Sequence, residues 1–277
     1  MEKLERWLLR RERVLVMGVL NLTPDSFYDG GRYITPQVAV KRALSMADEG
    51  ADIIDIGGES SRPGARSVSI DEELARVVPV VEDLAARSDV LISVDTMKSA
   101  VAQAALAHGA RIINDISALR FDPNMAGVVA ENGAYLVLMH MQGSPETMQR
   151  NPTYKDAVAE IKSFLRERIR AAVSAGIDRS RLIIDPGIGF GKRLPHNLEI
   201  LRRLSEFKEF GVPILVGLSR KSFLGEILDL PSSERLVGTI AANAIAIANG
   251  ADIIRVHDVK EGRRTADVAF RLRNYAT

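Results

Sequence analysis

Four polar side chains along this sequence have the chemistry needed to recognise a flat heterocycle. Asp95, Asn114, Asp185 and Lys221 each follow a short run of Val, Ile and Leu. Carboxylates only accept hydrogen bonds, an ammonium only donates them, and an amide does both. Together they match a ring edge carrying amino groups, ring nitrogens and a carbonyl, as in a fused amino-pyrimidinone. We predict that these residues bind such a ligand, with their opposite charges limiting the cost of burial.

Each of these residues also has a purely structural interpretation. Asp95 precedes a helical stretch and could be its N-cap. Asp185 begins an Asp-Pro-Gly sequence, which is typical of an ordinary turn. The convergence of all four side chains at successive strand ends favours the binding interpretation.

A second group of residues has the donors for a phosphate or pyrophosphate. Arg255 and His257 alternate at the end of the last apolar run, so both point to the same side of a strand. Asn21, at the end of the first run, would lie beside them in a closed sheet. The alternative is an ion pair of Arg255 or His257 with Asp258.

Two loops are long, polar and rich in glycine and hydroxyl groups, namely residues 21–31 and 57–65. Solvated turns would explain them, but Arg62 could grip an anion or stack on a ring, so we expect two lids. A third glycine-rich segment, residues 187–192, fails as a phosphate loop because Arg193 replaces the required Ser or Thr. We expect its glycines to form a turn that lets Phe190 line the pocket.

Eight apolar runs with helical stretches between them predict the element that positions these residues. Short Val, Ile and Leu runs are typical of parallel strands buried on both faces, and an α/β barrel, the (β/α)8 TIM barrel, has its active site where such strands end. A doubly wound open sheet is the alternative. The runs are residues 14–20, 53–56, 90–94, 112–113, 136–139, 182–184, 214–218 and 253–256. The predicted helices are residues 35–49, 71–86, 98–108, 123–132, 154–175, 195–210, 232–249 and 265–275.

Length and composition fit one domain spanning residues 1–277. A net charge of +1 argues against nucleic acid or a membrane surface as partner. The chain contains no cysteine, which excludes disulfides and thiolate chemistry and fits a cytoplasmic protein. The charged first ten residues predict neither a secretory signal nor a membrane span.

Motifs along nearly the whole chain resemble those of dihydropteroate synthase. They are residues 18–27, 51–64, 93–96, 113–116, 139–143, 185–192, 219–222 and 255–258. The resemblance implies a TIM-barrel transferase of folate biosynthesis, a sulfonamide target. It would join 6-hydroxymethyl-7,8-dihydropterin diphosphate to p-aminobenzoate, giving 7,8-dihydropteroate and pyrophosphate. It also implies small-molecule substrates as the only ligands besides Mg²⁺, and a homodimer formed through late helices.

The resemblance also implies roles for individual residues. Asp95, Asn114, Asp185 and Lys221 would bind the dihydropterin, with Met139, Phe190 and Gly217 around it. Asn21 would contact Mg²⁺, and Arg255 and His257 would hold the diphosphate. Phe27, Ser61, Arg62, Pro63 and Ser222 would surround the aryl amine. Ser61 stands where the family usually has threonine, and Tyr28 replaces a commonly small residue.

Two other functions are compatible with part of this pattern. A Schiff-base aldolase on the same barrel would use Lys221 as its nucleophile. A pterin-binding module for methyl transfer would keep Asp95, Asn114 and Asp185 but would have little use for Arg255 and His257. The presence of that pair together with Arg62 favours the synthase.

Overall fold

Eight parallel strands form the centre of the molecule. The computed structural model describes residues 7, 12–23, 35–62, 64–65 and 67–275. The strands are β1 (Leu15–Asn21), β2 (Ile53–Gly57), β3 (Leu91–Asp95), β4 (Ile112–Asp115), β5 (Tyr135–Met139), β6 (Leu182–Asp185), β7 (Leu215–Gly217) and β8 (Ile253–Val256).

The strands pair in the order β6-β5-β4-β3-β2-β1-β8-β7, with every pair parallel. A parallel bridge between Ile184 and Ile214 connects the two outer strands. Next to it, the Ile184 amide donates to the Pro213 carbonyl over 3.0 Å. This contact brings the sheet round into a barrel, which confirms the predicted (β/α)8 fold over the doubly wound sheet.

Helices surround the barrel and largely follow the prediction. They are α1 (Pro36–Asp48), α2 (Ile70–Arg87), α3 (Ser99–Ala107), α4 (Met125–Glu131), α5 (Ala157–Ser174), α6 (Leu194–Arg202), α7 (Ser222–Leu228), α8 (Leu236–Ala248) and α9 (Val259–Arg273). Within the part of the chain that the structure describes, none of these helices is both long and apolar enough to cross a bilayer.

Three helix predictions were wrong in detail. The helix expected over residues 195–210 ends at Arg202 and gives way to a 3-10 segment, Leu204–Phe210. Helix α7, which begins directly after Lys221, was not predicted. Helix α9 begins at Val259 rather than at residue 265. Its early glycine, Gly262, allows close packing, since a Cβ there would lie 2.9 Å from the Val256 side chain.

Two apolar layers lie on opposite faces of the strands. The larger one packs the outer face of the sheet against the helices. The smaller one fills the barrel below the mouth and comprises Leu15, Met17, Ile53, Ile112, Tyr135, Val137, Ile183, Leu215 and Ile253. Because side chains alternate along a strand, the residue two places beyond each interior one also faces the barrel axis.

Candidate active site

Strand alternation places most of the predicted site residues on the barrel axis. Asn114 follows Ile112 by two positions, and Asp185 follows Ile183 in the same way. Asp95 pairs in register with Asn114, so these two groups are direct neighbours at the strand ends. The same inward alternation applies to Met139, Gly217, Arg255 and, beyond β8, His257. The predicted binding residues therefore surround one mouth of the barrel.

A buried network of charges forms the floor of this mouth. The Arg255 Nε donates to Asp55 over 2.6 Å, and one of its terminal nitrogens donates to Asp95 over 2.9 Å. The same Asp55 oxygen accepts from the Asn114 amide over 3.0 Å. Asp55 is fully buried, and its other carboxylate oxygen has no hydrogen-bond partner among the described residues. Asp95 therefore pairs with Arg255 and does not cap α3, whose N-cap position is Lys98.

This network leaves Asp95 near its titration point at neutral pH. Burial raises the pKa of Asp95 to about 7, although the Arg255 guanidinium opposes the shift. The nearby Asp55 carboxylate adds to the increase because two like charges repel each other. Asp95 can therefore change its protonation state when a ligand with hydrogen-bond donors arrives.

Asp185 and Lys221 form the opposite side of the mouth. Asp185 is buried and uses one carboxylate oxygen to accept from the Gly187 amide over 2.6 Å. Burial raises its pKa, and the Lys221 charge opposes the shift. The Lys221 ammonium donates to the Ile188 carbonyl. Burial lowers the pKa of Lys221 to about 8, with Asp185 opposing the change.

Apolar side chains line the mouth beside these polar groups. Met139 belongs to a buried cluster with Ile116, Met141 and Met148, against which Met97 and Phe190 pack. The Phe190 ring lies 4.7 Å from the Lys221 ammonium. An apolar wall next to a polar edge is the environment that a flat heterocycle requires.

The turn that carries Phe190 is the one expected from its glycines. The backbone has positive φ at Gly187, Gly189 and Gly191. A Cβ on Gly187 would lie 1.9 Å from the His140 carbonyl oxygen, so the turn packs directly on the loop after β5. The buried Lys192 ammonium contacts the same carbonyl and lies 2.9 Å from His140 Nδ1. Burial lowers the pKa of both Lys192 and His140, and the pair holds this turn in place.

A strained residue directs Lys221 into the mouth. Arg220 has φ +57, a conformation that non-glycine residues seldom adopt. Its guanidinium makes a bidentate pair with Asp258 over 2.8 and 2.9 Å, and its amide donates to Thr239 over 3.0 Å. Ser222 is exposed and begins α7 directly after Lys221.

His257 lies at the rim with Ser219. The Ser219 hydroxyl is 2.9 Å from His257 Nδ1 and accepts from the His257 amide over 3.2 Å. Loss of water around the ring lowers the pKa of His257 to about 4, and the Arg255 charge adds to the decrease. Neither Arg255 nor His257 pairs with Asp258, which binds Arg220 instead. His257 is therefore neutral at pH 7 and available to an incoming anion.

The two long loops are described only in part. Phe27, Tyr28 and Pro63 lie outside the described residues. Asn21 ends β1, and its side-chain oxygen is 3.5 Å from the position of a Cβ on Gly57. Ser61 is half-buried and Arg62 exposed on the second loop. Nearby, the Gly64 amide donates to the Pro145 carbonyl over 3.2 Å, so this loop touches the loop after β5.

Sequence reasoning placed His140 and Ser219 at strand ends but missed their contacts with Lys192 and His257, and it assigned no role to Asp55. Asp55 could have been found, since a carboxylate two positions after an inward Ile53 must enter the barrel interior. The Ser219 contact depends on loop geometry that no sequence pattern encodes. Among the residues that the structure describes, no group of three His, Asp or Glu side chains could hold a metal ion by itself.

Comparison with known proteins agrees with this geometry. The family of pterin-binding enzymes matches residues 17–257. Dihydropteroate synthase of Escherichia coli (strain K12) is 53% identical over 246 residues, which is 89% of this chain and 87% of that protein. Both the enzyme class and the length of the match agree with the resemblance found in the motifs.

Two solved structures have the same fold. The Yersinia pestis dihydropteroate synthase, in complex with a sulfonamide drug, has a TM-score of 0.92 and 48% identity, covering 96% of both chains. The Xanthomonas albilineans dihydropteroate synthase with 4-aminobenzoic acid has a TM-score of 0.90 and 46% identity, covering 96% of this chain and 95% of that one. The chain belongs to the dihydropteroate synthase family of pterin-binding enzymes, which are transferases of folate biosynthesis.

Proposed function

We propose that the mouth of this barrel divides the family reaction among three neighbouring regions. The reaction joins 6-hydroxymethyl-7,8-dihydropterin diphosphate to p-aminobenzoate and releases pyrophosphate. One region binds the pterin, one the diphosphate and one the aryl amine. The observation that carries this proposal is the set of inward donors and acceptors beside an apolar wall, with the Arg255 guanidinium in the floor and the neutral His257 ring at the rim.

The pterin lies between the floor and the glycine turn. Asp95, Asn114 and Asp185 face its amino groups and ring nitrogens, and Lys221 donates to its acceptors. Met139 and Phe190 contact its faces. Gly217 lies between two of these groups, since a Cβ there would be in van der Waals contact with the Lys221 ammonium at 3.7 Å and with Arg255 Cβ at 3.8 Å.

Catalysis rests on position and charge and needs no covalent intermediate with the protein. The carbon–oxygen bond between the pterin methylene and the diphosphate breaks, and positive charge develops on the pterin. The Asp95 and Asp185 carboxylates stabilise that charge, while Arg255 and His257 stabilise the departing pyrophosphate. The aryl amine then forms the carbon–nitrogen bond and loses one proton. This use of Lys221 as a hydrogen-bond donor separates the synthase from a Schiff-base aldolase.

Asn21 is the residue that would contact Mg²⁺. Its amide oxygen is a hard donor of the kind Mg²⁺ prefers, and phosphate oxygens with water complete such a shell in many enzymes. The donors present therefore fit a metal ion that arrives with the diphosphate. When bound, Mg²⁺ would neutralise charge on the leaving group.

The aryl amine binds between the second loop and the start of α7. Ser61, Arg62 and Ser222 surround it. Phe27 and Pro63, which the resemblance adds to this set, lie outside the described residues. The complex of the Xanthomonas relative with 4-aminobenzoic acid supports this assignment. Sulfonamides share the aryl amine group, so we propose that they compete at the same place, as the drug complex of the Yersinia relative suggests.

An apolar stripe on two late helices supports a homodimer. Val237 and Ile245 lie on the outer face of α8, and Val268 and Leu272 lie on the outer face of α9, all of them exposed. Exposed apolar patches of this kind are typical of protein interfaces. In sedimentation experiments we expect wild type to be a dimer and Leu272→Glu a monomer. Leu198→Glu, on α6, is the matched control that should stay dimeric, and a monomeric wild type would refute the proposal.

We also propose that residues 1–277 act as one domain in the cytoplasm. The site draws on the ends of strands from the whole length of the barrel, so no part of the chain could form it alone. The lack of cysteine is compatible with a reducing compartment.

The experiment that tests the function supplies purified protein with the dihydropterin diphosphate, Mg²⁺ and p-aminobenzoate. We expect dihydropteroate, identified by mass, in equal amount to the released pyrophosphate. Lys221→Met should abolish most of this product. Borohydride trapping of a substrate on Lys221 would favour the aldolase, and pterin binding without product would favour a methyl-transfer module.

A further inference from the structure

A buried cluster of one lysine and two glutamates connects the pterin region to the second loop. Lys98 lies three residues after Asp95, just before α3. Its ammonium donates to Glu59 on the second loop and to Glu73 on α2. The exposed fractions of these side chains are 19% for Lys98, 11% for Glu59 and 1% for Glu73. The mechanism proposed above uses none of these three residues.

Glu59 connects the start of the second loop to the residues that follow the loop. The carboxylate oxygen that binds Lys98 also accepts from the Ser67 hydroxyl and from the Val68 amide, each over 3.0 Å. Residues on both sides of Ser61 and Arg62 are thus fixed to one carboxylate oxygen: Glu59 lies at the start of the second loop, and Ser67 and Val68 lie just after its end. A small cleft lined by Glu59, Ser61 and Asp95 lies directly beside this cluster.

The charge of Lys98 holds the cluster together. Burial alone would lower the pKa of Lys98, but the hydrogen bonds and charges of Glu59 and Glu73 raise it above its usual value. Without this ammonium, two largely buried carboxylates would face each other unneutralised. Glu73 is fixed in the first turn of α2, so the group free to move away is Glu59, and the loop would move with it.

Asp95, the proposed pterin ligand three residues before Lys98, is held in place by contacts that do not involve Lys98. Asp95 is held by Arg255 over 2.9 Å and by the pairing of β3 with β4. The Thr96 amide also donates to the Asn114 carbonyl over 3.2 Å. Removing Lys98 should therefore displace the second loop while leaving the pterin floor in place.

We propose that Lys98 is a positioning residue that fixes the second loop for the aryl amine through Glu59. This inference rests on the proposed role of that loop in binding p-aminobenzoate. A displaced loop loses contacts with the bound amine, and the loss of one hydrogen bond to a charged group weakens binding about 10- to 100-fold. The effect should appear in the KM for p-aminobenzoate and not in the KM for the dihydropterin diphosphate.

The test compares Lys98→Met with Lys98→Arg and with a matched control, Lys162→Met. Lys162 also joins two glutamates, Glu206 and Glu209 over 3.5 and 2.9 Å, but lies on the outer helix α5. We expect Lys98→Met to raise the KM for p-aminobenzoate about 10- to 100-fold, with the KM for the diphosphate unchanged. Lys98→Arg should restore most of the affinity, and Lys162→Met should behave as wild type.

Two results would overturn the inference: an unchanged KM for p-aminobenzoate in Lys98→Met, or an equal rise in both KM values. If Lys98→Met does not fold, Glu59→Gln provides the test, since this substitution keeps the shape of the Glu59 side chain and removes its charge. It should raise the KM for p-aminobenzoate alone, and an unchanged value would refute the role. Wild-type protein that forms no dihydropteroate would instead contradict the proposed function itself.

Discussion

Replacing Asp185 with asparagine should weaken recognition of the pterin without lowering the stability of the fold. One Asp185 oxygen already accepts from the Gly187 amide, which leaves the other for the proposed contact with the pterin. In Asp185→Asn the amide oxygen takes the Gly187 contact, so the NH₂ group faces a pterin donor. The loss of a charge-assisted hydrogen bond costs about 1.5–3 kcal/mol, and the unpaired donor about 1–3 kcal/mol. Together these reduce kcat/KM roughly 10²- to 10⁴-fold.

The same change should not destabilise the fold. Burial raises the pKa of Asp185, so the folded protein keeps this proton to a higher pH than the unfolded chain does. The neutral Asp185 carboxyl therefore stabilises the folded state only at low pH. This stabilisation is lost as pH rises from the pKa of the unfolded chain through the pKa of the folded protein, and above both values the ionised carboxylate disfavours the folded state. Asparagine removes this penalty. Lys221, with a pKa of about 8, can release its proton when its counter-charge is gone.

The assay measures kcat/KM for the dihydropterin diphosphate and Tm at pH 8. Asp178→Asn is a matched control, because the pKa of Asp178 is shifted in the opposite direction to that of Asp185. The exposed Asp178 carboxylate accepts from the Ser180 amide and hydroxyl, and the amide contact in particular lowers its pKa. This control should lose stability and keep kcat/KM. A normal kcat/KM in Asp185→Asn, or a Tm several degrees below wild type, would refute the reasoning.

Three further predictions concern the same mouth. The pH profile of kcat/KM should be a narrow bell that rises as Asp95 ionises near pH 7 and falls as Lys221 loses its proton near pH 8. A flat profile from pH 6 to 9 would contradict this prediction. Gly187→Ala should lower Tm far more than Gly211→Ala. Both glycines have positive φ, but only a Cβ at Gly187 would meet a backbone oxygen, at 1.9 Å. An equal loss of Tm in the two variants would exclude the clash. Asp55→Asn should shift the acidic limb of the bell to lower pH by removing a like charge from beside Asp95, and an unmoved limb would show that the two carboxylates do not interact.

The fold could be predicted because the strands coincide with short, mainly apolar runs, and a parallel strand buried on both faces requires such a run. The errors lay where the pattern carries little information. Helix α7 begins directly after Lys221 and was not predicted. Gly262 serves close packing inside α9, although glycine usually marks a helix end.

The site could be predicted where a polar residue ends an apolar run, as Asp185 and Asn114 do. Asp55 lies one layer deeper, inside the run that forms β2, and its partner Arg255 is 200 residues away in the sequence. Only the register of β2, β1 and β8 brings them together. The sequence indicated Arg255 as an anion ligand, whereas the structure shows that two carboxylates hold its guanidinium. Contact of Arg255 with the diphosphate stays a prediction.

The measurement we would make first is the affinity of wild type, Asp185→Asn and His257→Ala for two separate ligands by calorimetry. The ligands are 6-hydroxymethyl-7,8-dihydropterin without its diphosphate, and inorganic pyrophosphate with Mg²⁺. The proposed division of the mouth predicts that Asp185→Asn loses affinity only for the pterin and His257→Ala only for pyrophosphate. Equal losses of both ligands in both variants would contradict it.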